Sequence, residues 1–216
     1  LEDIARDRTL TPEERKEMKL YSRLADAFTP LAKGMNSEYA NQNAYDAISV
    51  HGGSGFIMEY KCQRLFRDAR IFSIYEGTTQ LQVVAAIRYV TNGTYLGIIK
   101  EMLEKEVAPE FQALKERVAK MVEKYEDAIN YVKAAGNNDL HDFLARRLYE
   151  MTAEIIMSLL ILDDATRAPE LFAKSANVYV RYAEGTVAGH YAYIKEFKAE
   201  DLADFLAAAP EEAPAE

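Results

Sequence analysis

The sequence predicts an all-α protein in which a four-helix up-and-down bundle is followed by a second helical bundle or extension. Apolar residues recur every three or four positions through most of the chain, as in helices that bury one face. The clearest run, from Phe111 to Val132, contains seven apolar side chains at this spacing. No strand pattern alternates with the helical segments, which excludes a doubly wound sheet or a barrel.

Composition narrows the classes of function. The 216 residues, 49% of them apolar, are enough for a well-buried core. A net charge of −9 argues against a nucleic-acid-binding surface. No apolar run approaches the roughly 18 residues that a membrane span needs. Cys62 is the single cysteine, which precludes an internal disulfide framework and favours a reducing, cytoplasmic location.

The first part of the chain begins with a strong helix start. Residues 11–14 read Thr-Pro-Glu-Glu, so Thr11 is the predicted N-cap and Glu14 completes a capping box. Pro30 is predicted to end or kink this helix, because proline lacks the N–H that continues the hydrogen-bond ladder. A second helix is then expected to run from Leu31 to Val50.

Glycine-bearing segments interrupt the helices that follow. Residues 51–56 read His-Gly-Gly-Ser-Gly-Phe and should break the helix. Residues 60–69 are predicted to form a short helix with Leu65 and Phe66 facing inward. Residues 70–75 alternate but are too few to indicate a sheet. The next helix is predicted to open at residues 77–79, to carry Leu81, Val84, Ala85 and Arg88, and to end near residue 93.

Three further helices are predicted beyond that point. Breaks at residues 136–139 and 168–169 separate apolar seams over 111–132, 144–162 and 172–187. Gly185 and Gly189 lie one turn apart in the last of these helices and are predicted to let a neighbouring helix approach closely.

The predicted organisation therefore has three segments. Residues 1–94 form the first helical domain, and residues 95–206 form a helical extension. Residues 207–216, which are rich in alanine, proline and glutamate, are predicted to be a disordered acidic tail.

Most patterns that would indicate chemistry are absent or ambiguous. None of the three histidines lies three residues after a glutamate, so the ligand pairs of di-iron bundles are missing and a metal site is not indicated. Cys62 lies beside cationic residues that favour a thiolate, but a packed helix residue is the stronger interpretation. Residues 52–55 end a helix rather than open one after a strand, so they favour a helix C-cap, with an anion-binding nest as the alternative.

Glu76 is the remaining candidate, and the residues alone leave two interpretations. A carboxylate general base works best among apolar neighbours, which Ile74, Tyr75 and the following helix could provide. A glutamate beside the start of a helix is more often a capping residue, whose charge the helix dipole stabilises. Taken alone, the local sequence favours the cap.

Two segments resemble the acyl-CoA dehydrogenase family. Residues 67–78 read Arg-Asp-Ala-Arg-Ile-Phe-Ser-Ile-Tyr-Glu-Gly-Thr, a long and specific string, and the glycine segment at 51–56 lies at the right distance upstream. The resemblance covers residues 11–93 and corresponds to the C-terminal helical domain of the family. Residues 95–206 resemble the extension of its longer members by position and helical character. The chain as given, which starts at Leu1, is therefore expected to be the last part of a longer polypeptide.

The resemblance implies an FAD-dependent enzyme of fatty-acid metabolism and assigns roles to particular residues. Glu76 matches the catalytic base, which removes the α-proton of an acyl-CoA thioester while hydride passes from the β-carbon to the flavin. The substrate-binding positions are Tyr75 and Gly77. The positions that contact FAD are Thr78, Gln80 and, toward the FAD of a neighbouring subunit, Gly52, Gly53 and Gly55. The family usually has glutamine where this chain has Ser49, and the shorter side chain predicts a lost contact to that FAD.

The resemblance also implies partners and leaves two alternatives. The expected partners are an acyl-CoA substrate, an electron-transferring flavoprotein and a homodimer or homotetramer. One alternative is an acyl-CoA oxidase of the same fold, which would pass electrons to oxygen. The other is a non-catalytic helical module for oligomerisation or partner binding, since the isolated fragment is expected to be inactive and to bind little FAD.

Overall fold

The computed structural model describes residues 8–205, and the predicted all-α fold is confirmed, because every regular element in that range is a helix. The predicted tail at 207–216 lies outside the described residues. In that range the α-helices are α1 (Pro12–His51), α2 (Gly53–Phe56), α3 (Cys62–Ala69), α4 (Thr79–Thr91), α5 (Thr94–Glu104), α6 (Gln112–Ala134), α7 (Asn138–Arg167) and α8 (Pro169–Glu196). Short 3₁₀ helices span Arg70–Ser73, Pro109–Phe111 and Ala199–Asp204.

Helix α1 begins as predicted. The backbone N–H of Glu14 donates to Thr11 Oγ1 at 3.2 Å, and the backbone N–H of Thr11 donates to Glu14 Oε2 at 2.9 Å. This reciprocal pair is the capping box, and it occupies two of the N–H groups that a helix start leaves without partners.

The prediction that Pro30 ends the first helix is wrong, and so is the separate helix expected from Leu31 to Val50, because α1 is one helix of 40 residues that runs through Pro30. Side chains from distant parts of the fold bond the carbonyl groups around the proline. Tyr149 Oη donates to the carbonyls of Pro30 at 3.0 Å and Leu31 at 3.1 Å, and Tyr95 Oη donates to that of Ala27. These hydrogen bonds and the burial of Pro30 offset the ladder bond that proline removes.

A single hydrophobic core joins the two parts of the chain. Helices α6, α7 and α8 pack against one another, and α7 also contacts α1, α4 and α5. One cluster of buried side chains extends from Ala27 to Leu202. The predicted seams over 111–132 and 144–162 lie in this core, which confirms the helical period on which they were based.

A buried carboxylate ties three helices together. Glu154 of α7 is 3% exposed and accepts hydrogen bonds from Tyr39 Oη of α1 and Tyr179 Oη of α8, both at 2.7 Å. Burial raises the pKa of both tyrosine hydroxyls, so each remains a donor. The two hydrogen bonds give both oxygen atoms of the buried Glu154 side chain a partner, which offsets their removal from water.

Two local predictions about packing are wrong. Leu65 and Phe66 of α3 are exposed, because that short helix buries only Ala69. A Cβ at Gly185 or Gly189 would meet nothing within 4 Å, so no described helix approaches that pair.

Many large apolar side chains between residues 20 and 84 are exposed. They include Val50 and Met58 at 85% and Phe56 at 78%, and Phe56, Ile57 and Met58 follow one another in the chain. Contiguous exposed apolar side chains mark surfaces that contact other proteins or domains. Across residues 8–205, no helix is long and apolar enough to cross a membrane.

Candidate functional site

Glu76 lies in a left-handed turn between the 3₁₀ helix at Arg70–Ser73 and helix α4. Its φ is +55°, and among the described residues no other non-glycine residue has a positive φ. Gly77 follows with φ +90°. Thr78 is the N-cap of α4, since its hydroxyl accepts from the backbone N–H of Leu81 at 3.3 Å. A left-handed glutamate is strained by about 1–2 kcal/mol, so surrounding contacts must hold it.

Two side chains hold the carbonyl groups of this turn. Lys33 Nζ of α1 donates to the Gly77 carbonyl at 2.5 Å. Gln82 Nε2 of α4 donates to the Glu76 carbonyl at 3.1 Å and to the Gly77 carbonyl at 3.4 Å. The left-handed backbone of Gly77 favours glycine there. A Cβ at position 77 would also lie 2.8 Å from Gln82 Nε2, so the Gln82 amide would have to shift.

One side of α1 supports the whole segment that carries Glu76. Ser37 Oγ donates to the carbonyl of Phe72 at 2.9 Å, and Asn41 Nδ2 donates to that of Ala69 at 3.1 Å. Together with Lys33 these residues lie four positions apart, which places them in a row along one side of the helix. Each member of the row therefore holds one carbonyl of residues 69–77.

The start of α4 is anchored separately. Thr79 is buried, and its hydroxyl donates to Glu38 Oε1 of α1 at 2.5 Å. Arg146 of α7 approaches the same Glu38 oxygen at 3.9 Å. The turn is thus linked through Glu38 to the extension.

A pocket of about 370 Å³ opens beside the turn, lined by Ala32, Lys33, Asn36, Ser37, Phe72, Tyr75 and Glu76. The predicted apolar shielding of Glu76 does not come from its neighbours in this chain. Ile74 is 48% exposed and Tyr75 is 65% exposed, so the carboxylate faces open space. The backbone N–H of Glu76 takes part in none of the hydrogen bonds formed within residues 8–205.

The glycine turn forms a second, separate feature. Gly52 has φ +60° and its N–H donates to the Ser49 carbonyl at 3.2 Å, which confirms the predicted helix C-cap. A Cβ at Gly55 would lie 2.6 Å from the Ile48 carbonyl, whereas one at Gly52 or Gly53 would meet open space. Gly55 therefore serves close packing on α1, and the other two glycines leave the backbone accessible.

The two features lie far apart in this chain. Lys33 of α1 contacts the turn that carries Glu76, and His51 directly precedes the glycine turn. These two residues are 18 positions apart in a helix that rises about 1.5 Å per residue, so about 27 Å separates them. The structure therefore brings together Tyr75, Glu76, Gly77, Thr78 and Gln80, and keeps them apart from Gly52, Gly53 and Gly55.

Thr78 and Gln80 lie at the N-terminus of α4 with exposed side chains. The first turn of a helix carries N–H groups without intrahelical partners and the positive end of the helix dipole. Such a position suits a negatively charged group.

Cys62 is the first residue of α3 and is partly buried. Within the described range, no three or more histidine, cysteine, aspartate or glutamate side chains are grouped so as to hold a metal ion.

Sequence reasoning missed the residues that support the turn. Lys33 and Gln82 were not candidates, and neither were Glu38 and Thr79. The available signal was the four-residue spacing of Lys33 with two other polar residues on α1. That spacing indicates a shared face but does not say what the face contacts.

The fold and site together define a helical module in which one long helix packs against the turn that carries Glu76 and ends at a glycine turn. Residues 13–90 match the family described as "Acyl-CoA dehydrogenase, C-terminal domain". Residues 91–202, just over half of the chain, match the family described as "Acyl-CoA dehydrogenase C terminal". The chain belongs to the acyl-CoA dehydrogenase family.

Individual relatives agree with this assignment. A protein named "Caffeyl-CoA reductase-Etf complex subunit CarC" from Acetobacterium woodii is 50% identical over 52 residues, which are 24% of this chain and 14% of that protein. "Broad-specificity linear acyl-CoA dehydrogenase FadE5" from Mycobacterium tuberculosis is 39% identical over 66 residues, which are 31% of this chain and 11% of that protein. The matched segments are thus a small part of these relatives.

A solved structure shares the fold. It is an acyl-CoA dehydrogenase family protein from Porphyromonas gingivalis, 38% identical in sequence, with a TM-score of 0.50. The match covers 53% of this chain and 98% of that chain.

Proposed function

We propose that this chain is the C-terminal part of an FAD-dependent acyl-CoA dehydrogenase, in which Glu76 removes the α-proton of an acyl-CoA thioester. The observation that carries the proposal is the held, left-handed turn that presents Glu76 beside a pocket of about 370 Å³. A turn that stores strain and is hydrogen-bonded from two helices is typical of a functional position.

The chemistry requires stabilisation of negative charge as well as a base. An α-proton of a thioester is too weak an acid for a carboxylate in water, so the enolate must receive hydrogen bonds. The Glu76 N–H, which bonds to no acceptor within residues 8–205, is a suitable donor. Tyr75 and Gly77 flank the carboxylate and complete the proposed substrate contacts.

The residues present fit FAD. Thr78 and Gln80 expose polar side chains at the start of α4, and Gly52 and Gly53 expose backbone where a Cβ would meet nothing. We assign Thr78 and Gln80 to the FAD of the same subunit. FAD, when bound, supplies the acceptor for the β-hydride.

The glycine turn is assigned to the FAD of a neighbouring subunit, with Gly55 keeping the turn packed on α1. The separation of about 27 Å along α1 supports two different binding sites rather than one. This assignment implies a homodimer or homotetramer. The exposed apolar side chains beside the glycine turn, such as Phe56 and Met58, support burial of this segment in an assembly.

An electron-transferring flavoprotein is the proposed electron acceptor, and one relative is named as part of a complex with Etf. The two parts of the chain have different proposed roles, with residues 1–94 as the bundle that carries the base and residues 95–206 as the extension that braces it. A cytoplasmic location belongs to the same proposal, since the single cysteine fits a reducing compartment.

The test is flavin bleaching by acyl-CoA in the flavin-loaded enzyme that contains this chain. Glu76→Gln keeps the shape of the side chain and removes the base, so flavin should stay bound but bleaching should be abolished. The matched control is Glu59→Gln, which makes the same charge change at an exposed residue and should bleach normally. Normal bleaching by Glu76→Gln would refute the assignment of the base.

The exposed apolar surface also favours the second candidate, a non-catalytic assembly module. Light scattering of this chain alone would detect self-association. If flavin-loaded enzyme does not bleach with any acyl-CoA while the chain still self-associates, the assembly function stands and the catalytic one fails.

Hydrogen peroxide release during turnover would instead assign the oxidase alternative.

A further inference from the structure

Lys33 stands out because it reaches the base-bearing turn from another helix. Its Nζ lies 2.5 Å from the Gly77 carbonyl, while 43 residues of chain separate Lys33 from Glu76. We infer that Lys33 is a positioning residue, which holds the Glu76–Gly77 turn in its left-handed conformation and so orients the Glu76 carboxylate. The inference rests on the proposed function for the role of Glu76.

The geometry makes Lys33 the member of the α1 row that acts on this turn. Asn41 and Ser37 hold the carbonyls of Ala69 and Phe72, which precede the turn. Lys33 alone in this row bonds a carbonyl of the turn itself. A hydrogen bond from a charged donor is roughly twice as strong as a neutral one, so the contact at the strained residues is the strongest of the three.

Strain explains why a holding contact is needed. A glutamate with φ +55° returns to a right-handed or extended backbone when its restraints are lost. Such a change rotates the peptide groups on both sides and redirects the carboxylate. Gln82 also bonds the two carbonyls, but it lies on α4, which directly follows the turn in the chain. Lys33 belongs to α1 and therefore ties the turn to a helix that is distant in sequence.

The first experiment measures how readily the turn opens, and it needs no cofactor. A glutamate-specific protease cleaves the bond after Glu76 only when the turn opens. Lys33→Met keeps the aliphatic stem and removes the donor, so cleavage there should become about tenfold faster. Lys33→Arg retains charged donors and should restore slow cleavage. Cleavage after the exposed Glu59 in the same samples is the internal control and should not change.

The second experiment measures the consequence for the base. In the flavin-loaded enzyme, Lys33→Met should lower the bleaching rate at saturating acyl-CoA by about tenfold or more, because small misplacement of a catalytic group is costly. The acyl-CoA concentration for half-maximal rate should stay near the wild-type value, and Lys33→Arg should recover most of the rate. Lys19→Met, an exposed lysine on the same helix, should match wild type.

Several outcomes would overturn the inference. One is wild-type cleavage after Glu76 in Lys33→Met, and another is an unchanged bleaching rate in that variant. A third is failure of Lys33→Arg to rescue either property. If Lys33→Met lowers the folded fraction measured by circular dichroism, Lys33→Gln replaces it, because it removes the charge with a smaller apolar change.

The two proposals fail in different ways. Retained bleaching by Glu76→Gln would refute the proposed role of Glu76 as the base. The rate of protease cleavage after Glu76 in Lys33→Met would still decide whether Lys33 holds the turn. Lost bleaching by Glu76→Gln together with wild-type behaviour of Lys33→Met would refute the positioning role and leave the function intact.

Discussion

Replacement of Gly34 by alanine tests the contact between α1 and α7. A Cβ at Gly34 would overlap the Tyr149 hydroxyl and would lie 3.1 Å from Tyr149 Cζ and 3.2 Å from Gln82 Cβ. Tyr149 is 1% exposed, so its ring has no open space into which to move. The same hydroxyl donates to the carbonyls of Pro30 and Leu31, and displacing it would break both hydrogen bonds.

The expected loss follows from three contributions. Overpacking a buried site costs about 1–3 kcal/mol. A buried hydroxyl that loses its acceptors costs about another 1–3 kcal/mol. Alanine is better than glycine within a helix by about 1 kcal/mol, which acts in the opposite direction. Gly34→Ala should therefore lower the free energy of unfolding by about 3 kcal/mol.

Urea unfolding followed by circular dichroism measures this change, and a double-mutant cycle identifies its cause. Tyr149→Phe removes the overlapping hydroxyl, so Gly34→Ala should cost much less in that background. The coupling free energy should be about 2 kcal/mol. Strict additivity of the two changes would refute the reasoning, and so would stabilisation of Gly34→Ala by the amount that helix propensity alone predicts.

Two further predictions concern sites far from the turn. Gly185→Ala should raise the free energy of unfolding by about 0.5–1 kcal/mol in the same urea assay. Gly185 is exposed within α8, and an added Cβ would meet nothing within 4 Å. Destabilisation would indicate a neighbour at that face. The hydrogen bond from Arg8 lowers the pKa of Glu14 to about 2 from 4.5. The ionised Glu14 side chain therefore stabilises the folded state fully above pH 4.5, and this stabilisation is lost as the pH falls through about 2. Arg8→Met should raise the Glu14 pKa toward 4.5 in an NMR titration, and an unchanged value would contradict the pairing.

Helices α6, α7 and α8 of the extension were predictable from the sequence, whereas α5 was not predicted. Val118, Tyr125, Leu148 and Ile155 were assigned to helical seams from spacing alone, and each is completely buried. Apolar side chains that recur every three or four positions lie on one side of a helix, and burial of that side orients the helix.

Helix α4 was not predictable in the same way. It carries apolar residues on more than one side, including Leu81 and Val84 on one face and Val83 and Ile87 on another. The period of the sequence therefore does not select a face. Contact with α1 and α7 decides that Val83 and Ile87 are buried.

The candidate site was predictable only in part. The string at 67–78 identified Glu76, but the general expectation of apolar neighbours was not met by Ile74 and Tyr75. The residues that hold the turn were missed, because Lys33 is distant in sequence and a lysine on a helix surface usually points into solvent.

Local sequence was enough to predict the helical class, the capped start of α1, the seams of the extension and the resemblance that singles out Glu76 in the string at 67–78. Those features depend on residues within a few positions of one another, through hydrogen bonds and side-chain spacing that a helix repeats locally. Three features became clear from the packed fold alone: the continuation of α1 through Pro30, the buried face of α4 and the contact of Lys33 with Gly77. These depend on side chains far apart in sequence, whose meeting follows from how whole helices pack.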